Sequence, residues 1–111
     1  KHHSLTYIEF GATDLAATKE FYSAVFGWKF TDYGPEYLAF TDTAEHEGGF
    51  ALGVSSGKSP LVVLYSASLE ETIAQVEANG GTITKQIFSF PGGRRFQFTD
   101  PNGNELAVWS E

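Results

Sequence analysis

The feature that most constrains this chain is an order of elements that occurs twice at a fixed offset. Leu5 to Ala12 alternates like a strand, with Tyr7, Glu9 and Gly11 on one face and Ile8, Phe10 and Ala12 on the other. A helix capped by Thr13 or Asp14 is expected to run to about Phe26, with Leu15, Thr18, Tyr22 and Val25 as its buried stripe and Phe21 and Phe26 beside it. Gly27 ends it as a C′ glycine would. Trp28–Thr31, Glu36–Thr41 and Gly49–Val54 read as three further strands, with Asp42 to Gly48 as a polar hairpin loop.

The pattern restarts after Ser55–Pro60, a linker by composition. Leu61–Tyr65 is a strand. Ser68 with Glu71 reads as a capping box, and Leu69, Ile73 and Val76 mark the apolar face of a helix that stops at Asn79-Gly80-Gly81. Thr82–Phe88 is a strand, Pro91-Gly92-Gly93 a turn and Arg94–Thr99 another strand. Tyr7 matches Leu61, Thr18 matches Thr72 and Gly27 matches Gly81, each pair 54 positions apart. The chain therefore reads as one α+β domain of two βαβββ modules, residues 5–54 and 60–110. The expected architecture is a pair of curled mixed sheets around a concave cavity.

The last strand sharpens that expectation. Asp100-Pro101-Asn102-Gly103 has turn chemistry at each position. Beyond it Leu106 and Val108 point one way, and Glu105, Ala107 and Trp109 the other. The aliphatic face suits a helix; the mixed face suits a cavity wall.

Composition then excludes several functions. Seven basic against fourteen acidic residues give a net charge of −7, which disfavours nucleic acid and anionic membranes as partners. There is no cysteine, hence no disulfide framework, thiolate metal site or cysteine nucleophile. No stretch is apolar enough to span a membrane and no leader peptide is visible, so the cytoplasm is the expected location. Lys1-His2-His3-Ser4 reads as a trimmed expression tag and is left out of the site.

Alternation nominates the cavity residues. Tyr7, Glu9, Leu61, Val63, Arg95, Gln97, Glu105, Ala107 and Trp109 fall on the concave faces, and Tyr37, Phe50 and Tyr65 are further candidate aromatics. An aromatic-lined hollow suits a flat or hydrophobic small molecule, although each ring alone also fits a filled core or a subunit contact. Glu9 and Glu105 are placed to act as acid/base groups or to bind a cation; they equally suit a solvated cleft mouth or ion pairs with Arg95. One of Arg94 and Arg95 has to point inward with Gln97, because Phe96 and Phe98 belong on the helix side. A guanidinium and an amide there can fix a carboxylate or phosphate. His46, between Glu45 and Glu47, sits in a polar loop.

Thr13-Asp14-Leu15, Phe21-Tyr22, Val25-Phe26-Gly27-Trp28 and Asp100-Pro101-Asn102-Gly103-Asn104, on a doubled βαβββ pattern, resemble the vicinal oxygen chelate superfamily. That group includes glyoxalase I, bleomycin-resistance proteins and extradiol dioxygenases. Its enzymes hold a divalent metal with His, Gln or Glu on the concave face. Carried over residue by residue, the first-strand histidine falls on Tyr7, the second-module histidine on Leu61 and the last-strand glutamate on Ala107. The strand around Gly49-Phe50-Ala51-Leu52 supplies no ligand type. The resemblance thus implies a small-molecule-binding protein comparable with the bleomycin-resistance branch, with no metal or other cofactor at the usual positions. The alternative is a lyase, isomerase or dioxygenase with a metal displaced toward Glu9, Glu105 and His46, or with a metal-free acid/base pair. No catalytic residue is assigned. A two-fold homodimer is expected, from the resemblance and from an aromatic content of 15%.

Overall fold

The computed structural model describes residues 1–53 and 59–111. The chain forms two compact units, one of Tyr7–Leu61 and one of Lys1–Thr6 with Val62–Glu111. Each is α+β, a mixed four-stranded sheet with one helix. The expected strand at Gly49–Val54 and the linker Ser55–Pro60 lie partly outside the described residues.

The first unit contains β1 (Leu5–Ala12) from Tyr7 onward, α1 (Leu15–Phe26), β2 (Lys29–Asp32), β3 (Tyr37–Thr41) and β4 (Glu47–Leu52). Its strand order is β2-β3-β4-β1. β1 runs parallel to β4, with Ile8 opposite Gly48 and Phe10 opposite Phe50; β3 is antiparallel to both β2 and β4. Asp14 caps α1 by accepting a hydrogen bond from the Ala17 amide at 3.0 Å, and Gly27 closes it at φ 71°.

The core of this unit is aromatic. Ala12, Leu38, Phe40 and Phe50 are buried, with Phe10, Leu15, Tyr22, Trp28 and Phe30 packed on them. Trp28 stacks between Tyr22 and Phe40, at 4.7 and 4.4 Å between centroids. The predicted helix stripe needs correction here. Leu15 and Tyr22 face the core, but Val25 is 58% exposed, and Phe21 and Phe26 are half exposed. The broad ring of Trp28 takes up the core space at the end of the helix, so the last apolar residues of α1 lie outside it.

The second unit contains β5 (Leu61–Tyr65), α2 (Leu69–Ala78), β6 (Thr82–Phe90), β7 (Gly93–Thr99) and β8 (Glu105–Ser110). Its order is β5-β8-β7-β6, with β5 parallel to β8 and the other pairs antiparallel. First strand beside last strand, in parallel, is the arrangement of both modules. Leu69, Phe96 and Val108 form the core beneath α2, with Leu64, Ile73, Val76, Ile83, Ile87 and Phe98 around them. The predicted register of the last strand therefore holds, with Val108 toward the helix.

The capping box does not form. Ser68 makes no side-chain cap bond. Its backbone amide, which Glu71 was expected to take, donates instead to Ser66 Oγ at 2.9 Å. Ser66 is fully buried and its hydroxyl also meets Thr72 Oγ1 at 2.7 Å, so a local turn reaches the helix entrance before the longer glutamate does.

β6 also runs two residues beyond the predicted Phe88, to Phe90, and contains two register shifts against β7. Ile83 pairs with Phe98, Lys85 with Gln97 and Phe88 with Arg95, so β6 gains one residue at each shift. Two such bulges restore the pleat. Ile83 and Ile87 face α2, and Phe88 falls on the same face as Arg95.

Candidate functional site

In each module a polar network lies on the sheet face away from the helix. In the first module Tyr37 alternates with buried Leu38 and so points away from α1. Its hydroxyl donates to Glu9 Oε1 at 3.0 Å and lies 2.6 Å from Tyr7 Oη. Tyr7, Glu9 and Tyr37 thus form one hydrogen-bonded group, all half-buried. Burial pushes the Tyr37 phenol well above its ordinary value of 10.0, and the Glu9 charge and the Tyr7 hydrogen bond push it in the same direction. It keeps its proton throughout the neutral range.

Gly49 makes this geometry possible. A Cβ on Gly49 would overlap the Tyr37 hydroxyl and ring. Tyr37 leans diagonally across β4 over a residue with no side chain.

Phe50 requires a correction. It was expected among the cavity aromatics, but it is 4% exposed within the helix-side core. Its ring centroid is 5.3 Å from Phe10 and 5.2 Å from Tyr22 of α1. The pleat dictates this: Gly49 faces Tyr37, so Phe50 takes the opposite face. The same alternation, with β4 starting at Glu47 instead of Gly49, places Glu47 on the helix-free face. Sequence reasoning left Glu47 in the preceding loop; extending the alternation back by two residues would have found it.

In the second module Arg95, not Arg94, turns toward Gln97. Arg95 Nη2 donates to Gln97 Oε1 at 3.1 Å, Gln97 Nε2 donates to Glu105 Oε2 at 3.1 Å, and Thr84 Oγ1 donates to the same oxygen at 2.8 Å. Arg94 goes to Glu70 on α2, at 2.5 Å. The Arg95 guanidinium also lies over the Phe88 ring, 5.4 Å from its centroid, and Lys85 Nζ stands 5.8 Å from that centroid. Thr84, Lys85 and Phe88 were not anticipated: alternation from Ile83 would have found Thr84 and Phe88, whereas Lys85 owes its direction to a bulge that no glycine or proline marks.

The remaining candidates divide. Val63 lies opposite Ala107, and Ala107 opposite Gln97; Leu61, Val63 and Ala107 are all buried. Tyr65 meets Trp109 edge to face at 5.1 Å and bonds through its hydroxyl to Glu111. Trp109 Nε1 donates to Thr6 Oγ1 at 2.9 Å. His46 pairs with Asp42 at 2.9 Å in an exposed loop.

The description of the Glyoxalase/Bleomycin resistance protein/Dioxygenase superfamily matches residues 4–108, and the chain belongs to that superfamily. Among curated proteins it is similar to "Putative glyoxylase CFP32" of Mycobacterium bovis and of Mycobacterium tuberculosis. Each is 27% identical over 114 residues, covering 93% of this chain. The chain spans only 44% of the length of these relatives. Among solved structures, the Mn(II)-bound glyoxalase from Novosphingobium aromaticivorans matches with a TM-score of 0.74 and 23% identity, over 99% of this chain and 39% of that one. A superfamily member from Vibrio splendidus 12B01 matches with a TM-score of 0.73 and 16% identity, over 95% of this chain and 97% of that one. At these identities the likeness establishes the fold.

The metal that the superfamily implies does not fit the donors at the expected positions. Tyr7 offers a phenol already bonded to another phenol, and Leu61 and Ala107 offer hydrocarbon. Among the described residues, no group of three or more His, Cys, Asp or Glu stands close enough to hold a metal ion.

Proposed function

We propose that this chain is a small-molecule-binding member of its superfamily, which holds a flat, hydrophobic or aromatic ligand on helix-free sheet surface without a metal at the usual positions. The observation that carries this reading is the position of Tyr7. It stands where the resemblance places the first metal ligand, and its hydroxyl is engaged with Tyr37. The polar groups around it are built into a network, and in the second module Phe88 carries two cations near its ring. Ordered polar groups beside aromatic surface are the usual composition of a ligand site.

Binding without chemistry is favoured because no described group combines a nucleophile, a base and an orienting partner. A second reading rests on a specific observation: Tyr37 donates to Glu9, and a phenol beside a carboxylate can serve a lyase or isomerase as an acid/base pair. The expected homodimer belongs to the same proposal.

Metal analysis with a thermal-shift screen tests it. Dialysed protein should carry no stoichiometric nickel, zinc or manganese and gain no stability from them. A tight site would add about 2.7 kcal/mol at a hundred times its dissociation constant. Aromatic metabolites should stabilise the protein in the absence of metal. One bound equivalent of metal, or stabilisation that requires metal, would overturn the reading.

A further inference from the structure

We infer that the second module recognises an aromatic carboxylate through Lys85, whose ammonium stands beside the Phe88 ring on the helix-free face. This rests on the reading above that such a face binds a flat small molecule. It adds the charge of that molecule and the residue that meets it.

The first observation is the direction of Lys85. Ile83 packs beneath α2, and simple alternation would send residue 85 to the same side. The bulge after Ile83 reverses this, so that Lys85 pairs with Gln97. Gln97 lies between Phe96 and Phe98 of the helix-side core and therefore points the other way, and directly opposed residues share a face. Lys85 Nζ stands 5.8 Å from the Phe88 centroid. Phe88 is half-buried and is met from β7 by Arg95, whose guanidinium is 5.4 Å from the same centroid and donates to Gln97. The bulge thus places a cation against a ring that the opposite strand holds.

The second observation is the charge balance. Lys85 is exposed and makes no ion pair or hydrogen bond with any described residue. The carboxylates near this end of the chain are engaged by other groups: Glu105 accepts from Gln97 and Thr84, Glu111 from Tyr65 and Glu70 from Arg94. In a chain of net charge −7, Lys85 is a cation on the candidate ligand surface with no protein counterion. An ammonium is a point charge and matches a monoanion. The Phe88 ring beside it offers apolar surface to a flat group. A planar ring bearing one carboxylate satisfies both at once.

The test uses benzoate and benzamide, which share size and shape and differ in charge at neutral pH. Each is titrated at matched ionic strength into isotope-labelled protein while the amides of Lys85, Phe88 and Gln97 are followed by NMR. Benzoate should bind about two- to fivefold more tightly, the worth of an exposed ion pair. That preference should shrink as salt is raised to about 1 M. Lys85→Gln should abolish it and Lys85→Arg, which keeps the charge, should retain it. Lys29→Gln, at an exposed lysine of β2, should leave it unchanged and so separates a local pair from a change in net charge. Benzamide binding as tightly as benzoate, or a preference that survives Lys85→Gln, overturns the inference while leaving ligand binding intact. If neither compound perturbs these amides at millimolar concentration, the binding reading fails for this module and the inference fails with it.

Discussion

Tyr37 lies over Gly49, and the space its ring and hydroxyl occupy is the space a side chain at position 49 would need. Neither residue is the diagonal neighbour of the other by accident of sequence distance: they come from antiparallel strands whose register pairs Ala39 with Gly49 and Tyr37 with Ala51.

Gly49→Ala should therefore act on the site through Tyr37. The added methyl group has to push the ring aside, and the bonds to Tyr7 and Glu9 lengthen or break. Overpacking of this kind costs about 1–3 kcal/mol. Chemical denaturation should show that loss, and NMR should show shifts at Tyr7 and Glu9. A variant as stable as the parent with unshifted resonances would mean that Tyr37 does not hold this position.

Core and site residues should separate by their mutational signatures. Phe96 is fully buried beneath α2, so Phe96→Ala should cost roughly 3–5 kcal/mol. Phe21 is half exposed on α1, and Phe21→Ala should cost about 0.5 kcal/mol or less. Arg95→Ala should lose less stability than Phe96→Ala and weaken the binding of aromatic ligands, since it removes both the bond to Gln97 and the cation over Phe88. Equal losses of stability for Phe96→Ala and Phe21→Ala in denaturant titrations would contradict the packing described for both helices.

The alkaline limb of stability should carry the mark of Tyr37. Its folded-state pKa is raised above the unfolded value of 10.0, by burial first and then by Glu9 and Tyr7. Above pH 10 the unfolded tyrosine releases its proton and the folded one retains it. The unfolded state then binds fewer protons, and stability falls as pH rises. Below that pH the contribution is fully present. Wild type should thus lose stability more steeply between pH 10 and pH 12 than Tyr37→Phe, which has no proton to lose there. Parallel slopes for the two proteins would show that Tyr37 ionises as readily folded as unfolded.

Most of the fold was legible in the sequence because alternation and turn chemistry are local properties. The glycine and asparagine stops after each helix, the cap at Asp14 and the two faces of the last strand depend on neighbours within a few residues. What escaped depends on partners distant in the chain. Phe50 was assigned by its aromatic character, whereas the pleat of β4 assigns it to the helix side. Val25 and Phe26 fit a helical stripe, but the ring of Trp28 fills the space they were expected to occupy. Lys85 reaches the helix-free face only because β6 bulges after Ile83, and nothing in Thr84 to Phe88 announces a bulge. The Tyr7–Tyr37–Glu9 group joins residues up to 30 positions apart, so the sequence named its members without showing their bonds.

The turn before β8 should be an acid-sensitive joint. Asp100 accepts hydrogen bonds from the Asn104 side chain at 3.0 Å and from the amides of Asn104 and Asn102 at 2.9 and 2.8 Å. These bonds, led by the Asn104 side chain, hold the Asp100 carboxyl below the ordinary value of 3.8. The sign follows directly. A carboxylate with a depressed folded-state pKa stabilises the structure above its unfolded value, and that contribution fades as pH falls through the folded value. Asp100 is exposed, so the effect should be local fraying of the turn. Amide hydrogen exchange at Asn102 and Asn104 should quicken, relative to the intrinsic rate, as the pH is lowered below about 4. Asp100→Ala should show the faster exchange already at neutral pH, with the amides of β7 beneath α2 unchanged. Protection at Asn104 that is indifferent to both acid and the substitution would show that Pro101 and Gly103, at φ 88°, hold the turn without the carboxylate.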